Sequence, residues 1–253
     1  MRKVSITAVA LACVFLFAKG AAAQSSEVRV LASNGIKAVV EDVRAQAERA
    51  IGHPIVVQYR PTAALKQEID AGEPFDVVIV TAESIAQLSK EGKTAGGEGT
   101  PISRAGVGIG IRKGAGRPDI STPDAIKRAL LNTKAIAYGP SGASFPYISR
   151  MFETLGIADA MKAKTLFFDT SDGTNGAVAE GKADFGMTLI SEILPVQGIE
   201  LLGPLPESFQ GYVRFSAAPS ASAKNPEAAR AVIKFLAGPD ALASIQARGM
   251  QAH

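Results

Sequence analysis

Apolar residues along the chain fall into short unbroken runs, separated by stretches in which every third or fourth position is apolar. The runs suit strands covered on both faces, and the stretches suit amphipathic helices. Residues 27–31, 55–59, 77–80, 107–111, 135–138, 165–168, 185–189 and 212–217 read as strands. Between them, Ile36, Val39, Val40, Val43 and Ala47 share one helical face, Leu65 and Ile69 a second, and Ile126, Ala129 and Leu130 a third. Helix starts carry their own signals: Thr122-Pro123-Asp124 and Asn225-Pro226-Glu227 each supply a cap, a first-turn proline and a first-turn acid. Ser84 reads as the cap of a short helix that ends near Gly92, and further helices are expected from Ser144 to Gly156 and from about Thr174 to Glu180. Two C-terminal helices follow, residues 226–237 with Val232, Ile233 and Leu236 inward and residues 240–247 with Leu242 and Ile245 inward. Gly106, Gly108 and Gly110 alternate with apolar residues in one strand, where missing side chains permit close packing. Strand alternates with helix throughout, which is an α/β chain.

The first 23 residues stand outside this pattern. Arg2 and Lys3 precede an apolar run, and Ala21-Ala22-Ala23 offers a small-residue cleavage site, so residues 1–23 read as a secretory signal peptide. Removing Arg2, Lys3 and Lys19 with no acidic residue takes the formal net charge of +3 to zero. The basic balance of the precursor therefore points to no nucleic-acid or membrane partner. The single Cys of the chain, Cys13, leaves with the signal, so neither a disulfide nor a thiolate nucleophile is expected in the secreted form.

Residues suited to catalysis are scarce. The two histidines are His53, in the loop Gly52-His53-Pro54, and His253, the last residue. Gly139-Pro140-Ser141-Gly142 approaches a nucleophile elbow, but Ala143 stands where G-x-S-x-G requires its last glycine. No spacing suggests a metal site, and no cofactor is expected. What recurs is a strand-to-helix turn filled with small hydroxylated residues and glycine: Ser33-Asn34-Gly35, Arg60-Pro61-Thr62-Ala63, Ser141-Gly142-Ala143-Ser144 and Ser171-Asp172-Gly173-Thr174-Asn175. Unpaired N–H groups and the positive dipole end at a helix N-terminus make each turn a candidate anion nest, although the same residue types also serve as ordinary caps. In open α/β sheets a ligand crevice lies beyond the C-terminal ends of the strands, where these turns fall.

At these turns the chain resembles the molybdate-binding family of bacterial transporter solute-binding proteins. The resemblance is carried by the segments LASNGIKAVVEDV (31–43), TAALKQEIDAGEPFDVVIVTA (62–82), AYGPSGASFPYISRMFETLG (137–156) and VIKFLAGPDALASIQARGM (232–250). It implies a two-lobed, type II periplasmic-binding-protein fold with crossover hinge strands, one lobe comprising residues 27–103 with 216–253 and the other residues 104–215. It further implies a periplasmic, monomeric binding component of an ABC-type importer that delivers a small anion to a membrane permease. The alternatives are a ligand-sensing protein that presents its ligand to a receptor and, less favoured for want of catalytic groups, an enzyme, which would need Asp172, Glu83 or His53 to converge in the cleft. The binding positions it carries over are Ser33, Thr62 or Ala63, Ser144 or Ala143, and Thr174, with Asn34, Ser141 and Asn175 beside them.

The departures bear on the ligand. Leu189 replaces the tyrosine that the family carries at the end of its second-lobe strand, removing a hydroxyl. Arg60 stands directly before the second turn, and Asp172 stands beside an anion site unless it turns away or pairs with Arg60 or Arg150. Losing a neutral donor while gaining a guanidinium suits an organic carboxylate better than molybdate or tungstate, and both ligand classes remain open.

Overall fold

The computed structural model describes residues 27–253; the expected signal peptide lies outside them. The chain opens with three strand–helix units. These are β1 (Val28–Ser33), a one-turn 3-10 helix (Asn34–Ile36) and α1 (Lys37–Ile51), then β2 (Ile55–Arg60) and α2 (Thr62–Asp70), then β3 (Val77–Thr81) and α3 (Ala82–Lys90). The long β4 (Thr100–Arg112) leads to α4 (Pro123–Asn132), β5 (Ile136–Tyr138), α5 (Phe145–Thr154), α6 (Ala158–Lys162) and β6 (Thr165–Phe167). There follow α7 (Ser171–Ala179), β7 (Phe185–Leu189), α8 (Ile190–Ile193) and β8 (Ile199–Pro204), and the chain closes with β9 (Tyr212–Pro219), α9 (Pro226–Leu236), α10 (Pro239–Ala247) and β10 (Met250–Ala252).

The strands run in the order β2-β1-β3-β9-β4-β7-β5-β6, with β8 and β10 also paired to β4. β1, β2 and β3 are parallel, and so are β5, β6 and β7. The two parallel groups form two lobes joined by antiparallel crossover strands. β4 pairs with β9 through Thr100–Gly106 and with β7 from Val107 onward, so one strand serves both lobes.

Burial explains why the strands lack polar alternation. On one face of the first lobe, Val28, Val30 and Ala32 pack with Val39, Val40 and Val43 of α1 and with Val232 and Leu236 of α9. On the other, Leu31, Val78 and Val80 pack with Leu65 and Ile69 of α2 and Ile85 and Leu88 of α3. Asp42 of α1 anchors the C-terminal end, accepting from Arg248 Nε at 2.8 Å, Arg248 Nη2 at 2.6 Å and Ser244 Oγ at 2.7 Å. In β4, Val107, Ile109 and Ile111 face one core while the glycine face receives α8. A Cβ on Gly108 would stand 2.7 Å from Ile190 Cγ1, so the absence of that side chain lets α8 lie close against the strand.

Several boundaries differ from expectation. Thr81, not Ser84, caps α3, accepting from the Ser84 N–H at 3.4 Å, so the helix begins two residues before Ser84. α7 starts at Ser171 with Thr170 as its cap, which places Thr174 and Asn175 inside the helix. α10 starts at Pro239, and its inward stripe is Ala241 and Ile245; Leu242, one residue round the helix, is 38% exposed. The strands β8 and β10, the helix α6 and the first half of β4 carry too little periodic signal to be read from sequence.

Candidate functional site

Five strands of the two parallel groups, β1, β2, β5, β6 and β7, point their C-terminal ends at one cleft. Register fixes this: Ser33 lies beside Arg60 across β1 and β2, and Tyr138 beside Phe167 across β5 and β6. The cleft is narrow: the centres of water-sized molecules have only about 40 Å³ of room in it. From the first lobe it is lined by Ser33, Asn34, Gly35, Pro61 and Thr62. From the second it is lined by Gly139, Gly142, Ala143 and Ser144 after β5, by Asp169, Thr170, Ser171 and Thr174 after β6, and by Thr188, Leu189 and Glu192 around the β7–α8 turn.

The hydroxyls divide into two kinds. Thr170 Oγ1 accepts from the Gly173 N–H at 3.1 Å and is an ordinary helix cap. Ser33 and Ser144 occupy the N-cap positions of the 3-10 turn and of α5 yet make no capping bond to their own helices. Ser33 Oγ instead accepts from Thr62 Oγ1 at 3.1 Å, which leaves the Ser33 hydroxyl hydrogen available to the cleft. Both serines are buried, so each hydroxyl is held at the cleft wall rather than in bulk water.

Among the described residues, no lysine or arginine lines the cleft, and the ionisable groups that do are Asp169 and Glu192. Glu192 opens α8, where Thr188 donates its hydroxyl to Glu192 Oε2 and the Leu189 N–H reaches the same oxygen at 3.4 Å. Burial pushes the Glu192 carboxyl above the usual carboxylate range. Hydrogen bonds from Thr188, Ser171 and the Leu189 N–H act against that rise, and the negative charge of Asp172 adds to it. Next to Glu192, Ser191 Oγ donates across to the Gly35 carbonyl at 2.8 Å, tying α8 to the first lobe.

Of the residues expected from sequence, Ser33, Asn34, Thr62, Ala143, Ser144, Thr174 and Leu189 line the cleft. Arg60, Ala63, Ser141, Asp172 and Asn175 do not. The Arg60 side chain is 54% exposed, donating to its neighbour's carbonyl, Tyr59 O, at 2.9 Å and approaching Glu68 at 3.7 Å. Ala63 and Ser141 face solvent. Asp172 turns outward with its side chain 79% exposed and pairs with Lys37 at 3.7 Å rather than with Arg60 or Arg150. Asn175 is buried but directed at α8, donating to the Glu192 carbonyl at 2.8 Å. The candidate catalytic groups stand apart: Glu83 pairs with Arg214, His53 lies by Asn225, and Asp172 faces Lys37. Among the described residues there is no group of three side chains able to hold a metal ion.

Reading small-residue turns passes over Asp169 and Thr170, which lie just before the turn read as beginning at Ser171, and over Thr188 and Glu192, because the β7–α8 turn contains neither glycine nor a small-residue cluster. Its one sequence signal is Thr188 four residues before Glu192, a spacing that lets the two side chains meet across the helix start.

The family described as bacterial extracellular solute-binding protein matches residues 28–251. Among curated relatives, an aconitate isomerase from Pseudomonas sp is 30% identical over 237 residues, covering 91% of this chain and 90% of its own. The molybdate-binding protein ModA of Azotobacter vinelandii is 26% identical over 237 residues, covering 90% and 91%. Among solved structures, the periplasmic molybdate-binding protein of Azotobacter vinelandii superimposes with a TM-score of 0.72 at 20% identity, covering 89% of this chain and 99% of its own.

Proposed function

Because the chain belongs to the bacterial extracellular solute-binding protein family, we propose that it is the periplasmic binding component of an ABC-type importer and that it closes on a small organic polycarboxylate of the aconitate class. One observation carries the reading: small hydroxylated turns after β1, β2, β5 and β6 converge with the β7–α8 turn on a single cleft between the lobes. Such a wall holds an anion with hydroxyl and backbone N–H dipoles and needs no lysine or arginine. Two observations favour a carboxylate over molybdate. Leu189 presents no hydroxyl to the cleft, and the 30%-identical relative bears the name of an enzyme acting on a tricarboxylate. We place the hinge within β4 and β9, at the lobe limits of residues 27–103 with 216–253 and residues 104–215. Closure about it would bury the ligand and give a permease a surface distinct from the open one. Ser33, Ser144 and Thr174 are the proposed hydroxyl donors, with Thr62 fixing the Ser33 hydroxyl by donating to its oxygen.

The test is a thermal-shift and calorimetric panel of cis- and trans-aconitate, citrate, molybdate, tungstate and sulfate against the secreted form. Stabilisation by the tricarboxylates supports the reading, and stabilisation by the tetrahedral ions alone replaces it with an inorganic-oxyanion site. A second reading, in which the bound acid is also isomerised, is favoured by Glu192, because shifting a double bond needs a group that removes and returns a proton. Incubation with trans-aconitate followed by NMR decides it: appearance of the cis isomer supports turnover, and an unchanged spectrum over hours rejects it.

A further inference from the structure

The group at the cleft wall that neutral-donor recognition does not explain is Glu192. An ionised carboxylate there would repel the anion that the surrounding donors attract. It is also no part of an ion pair: its side-chain partners are the hydroxyls of Thr188 and Ser171 and the Leu189 N–H. The charged groups around it are mixed and mostly engaged elsewhere. Asp169 shares the cleft, Asp172 on α7 is paired with Lys37 on α1, and Glu41, Asp42 and Arg248 border the outer cleft behind it, the last two bonded to each other. Lys37, which borders the same outer cleft, is thus committed to Asp172, and among the described residues no salt bridge reaches Glu192.

We propose that Glu192 is protonated in the liganded protein and donates its proton in a hydrogen bond to the bound anion, so that binding is coupled to proton uptake. A neutral carboxyl brings both a donor and an acceptor to the cleft. It can donate to a ligand oxygen while its other oxygen keeps the Thr188 bond. Burial of the carboxyl, already disfavouring its ionised form, acts in the same direction. This inference rests on the reading of the cleft as an anion site and adds which of its groups changes protonation when the anion arrives.

The sign of the effect follows. A bound anion raises the Glu192 pKa above its value in the free protein. Affinity is thus constant while the free protein is already protonated and falls by up to tenfold per pH unit once it is not. The experiment is calorimetric titration of the whole secreted protein with trans-aconitate from about pH 5 to about pH 9, each point in two buffers of different ionisation enthalpy; the ligand's own carboxyls are ionised over most of this range. Wild type is expected to lose affinity toward alkaline pH and to show buffer-dependent heat approaching one proton taken up. Glu192→Gln, a fixed neutral amide that can still accept from Thr188, is expected to show neither and to bind more tightly than wild type at the alkaline end. Wild type and Glu192→Gln with the same pH profile, or wild-type heat independent of buffer throughout, would overturn the proposal. If no carboxylate binds at any pH, it is the polycarboxylate reading that fails. Buffer dependence is read on wild type, so the test stands even if the variant folds poorly.

Discussion

Gly35 is where the cleft wall meets the crossover strand. Its φ is not positive, so alanine meets no backbone strain there and the whole effect must come from packing. A Cβ at this position would lie 2.5 Å from Phe215 Cζ and 2.7 Å from Leu189 Cδ1. Carbon atoms in good contact are about 3.5–4.0 Å apart, so each overlap is about 1 Å. Phe215 is 0% exposed and its rigid ring cannot swing into solvent, so relief must come from shifting Leu189, 2% exposed, at the cleft wall. Overpacking of this kind costs about 1–3 kcal/mol, and the smaller unfolded-state entropy of alanine returns roughly 0.4–1 kcal/mol. The expected net loss for Gly35→Ala is about 1.3 kcal/mol, which in a chain of this size lowers Tm by about 3–5 °C.

Gly176 supplies the control. It lies inside α7 with ordinary helical φ, and nothing stands within 4 Å of where its Cβ would be. Gly176→Ala is expected to stabilise the protein by about 0.5–1 kcal/mol. Circular-dichroism melts of the two variants, with calorimetric titration of a binding carboxylate, make the comparison. Gly35→Ala should also weaken binding, because moving Leu189 or the Gly35 carbonyl disturbs the cleft wall and the Ser191 bond. A Gly35→Ala melt within about 0.5 kcal/mol of wild type would refute the reasoning, since it would mean that Phe215 and Leu189 have room to yield.

Arg60→Ala should change carboxylate affinity by less than about twofold, since its guanidinium lies along the outside of the second turn; a tenfold loss in calorimetry would place it in the liganded site instead. Asp76 accepts from the Arg29 N–H at 2.9 Å and the Lys224 N–H at 2.8 Å while 3% exposed, so Asp76→Ala leaves two inward N–H groups unpaired. Denaturant unfolding should show a loss of about 2–4 kcal/mol. The Arg248 guanidinium holds the Asp42 carboxyl below the usual range, so its stabilisation is present above the unfolded-state pKa and disappears as pH falls through the folded one. Asp42→Asn should therefore cost about 1 kcal/mol at neutral pH, and the gap to wild type should close in acid, as read from urea midpoints across pH. Glu192 acts with the opposite sign. Its raised pKa makes its contribution largest below the unfolded-state value and lost as pH rises through the folded one, so Glu192→Gln should flatten that alkaline decline.

Periodicity made the strand–helix alternation legible because each element buries a face it can reveal on its own. Ile36 at the end of the 3-10 turn and Val39, Val40, Val43 and Ala47 of α1 all turn into the core as their spacing requires, and Thr122 and Asn225 cap their helices through the Ala125 and Ala228 N–H groups. β8 and β10 were hidden for the converse reason. β8 ends in Gly203-Pro204, a pair that reads as a turn, and it becomes a strand through pairing with β4 far back in the chain. β10 is three residues long and is likewise held by β4, Met250 lying against Ala105. Pairing at that sequence separation leaves no local periodic trace, so no window of the sequence shows it.

The site follows the same division. Ser33, Thr62 and Ser144 were visible because a small hydroxylated residue at the end of a strand is a local feature. Whether it serves as a cap or faces a ligand is not local, since that depends on whether the hydroxyl finds its own helix. Thr170 does, whereas Ser33 and Ser144 do not. Glu192 lies further from reach. Its carboxyl comes to the cleft because α8 sits close on the glycine face of β4, because Thr188 one turn earlier takes its oxygen, and because Ser191 is held by the Gly35 carbonyl of the other lobe. The place of the Glu192 carboxyl at the cleft is thus a property of packing between distant parts of the chain, and on the hinge we propose, an opening that separates Ser191 from Gly35 should lower the Glu192 pKa and favour release of its proton.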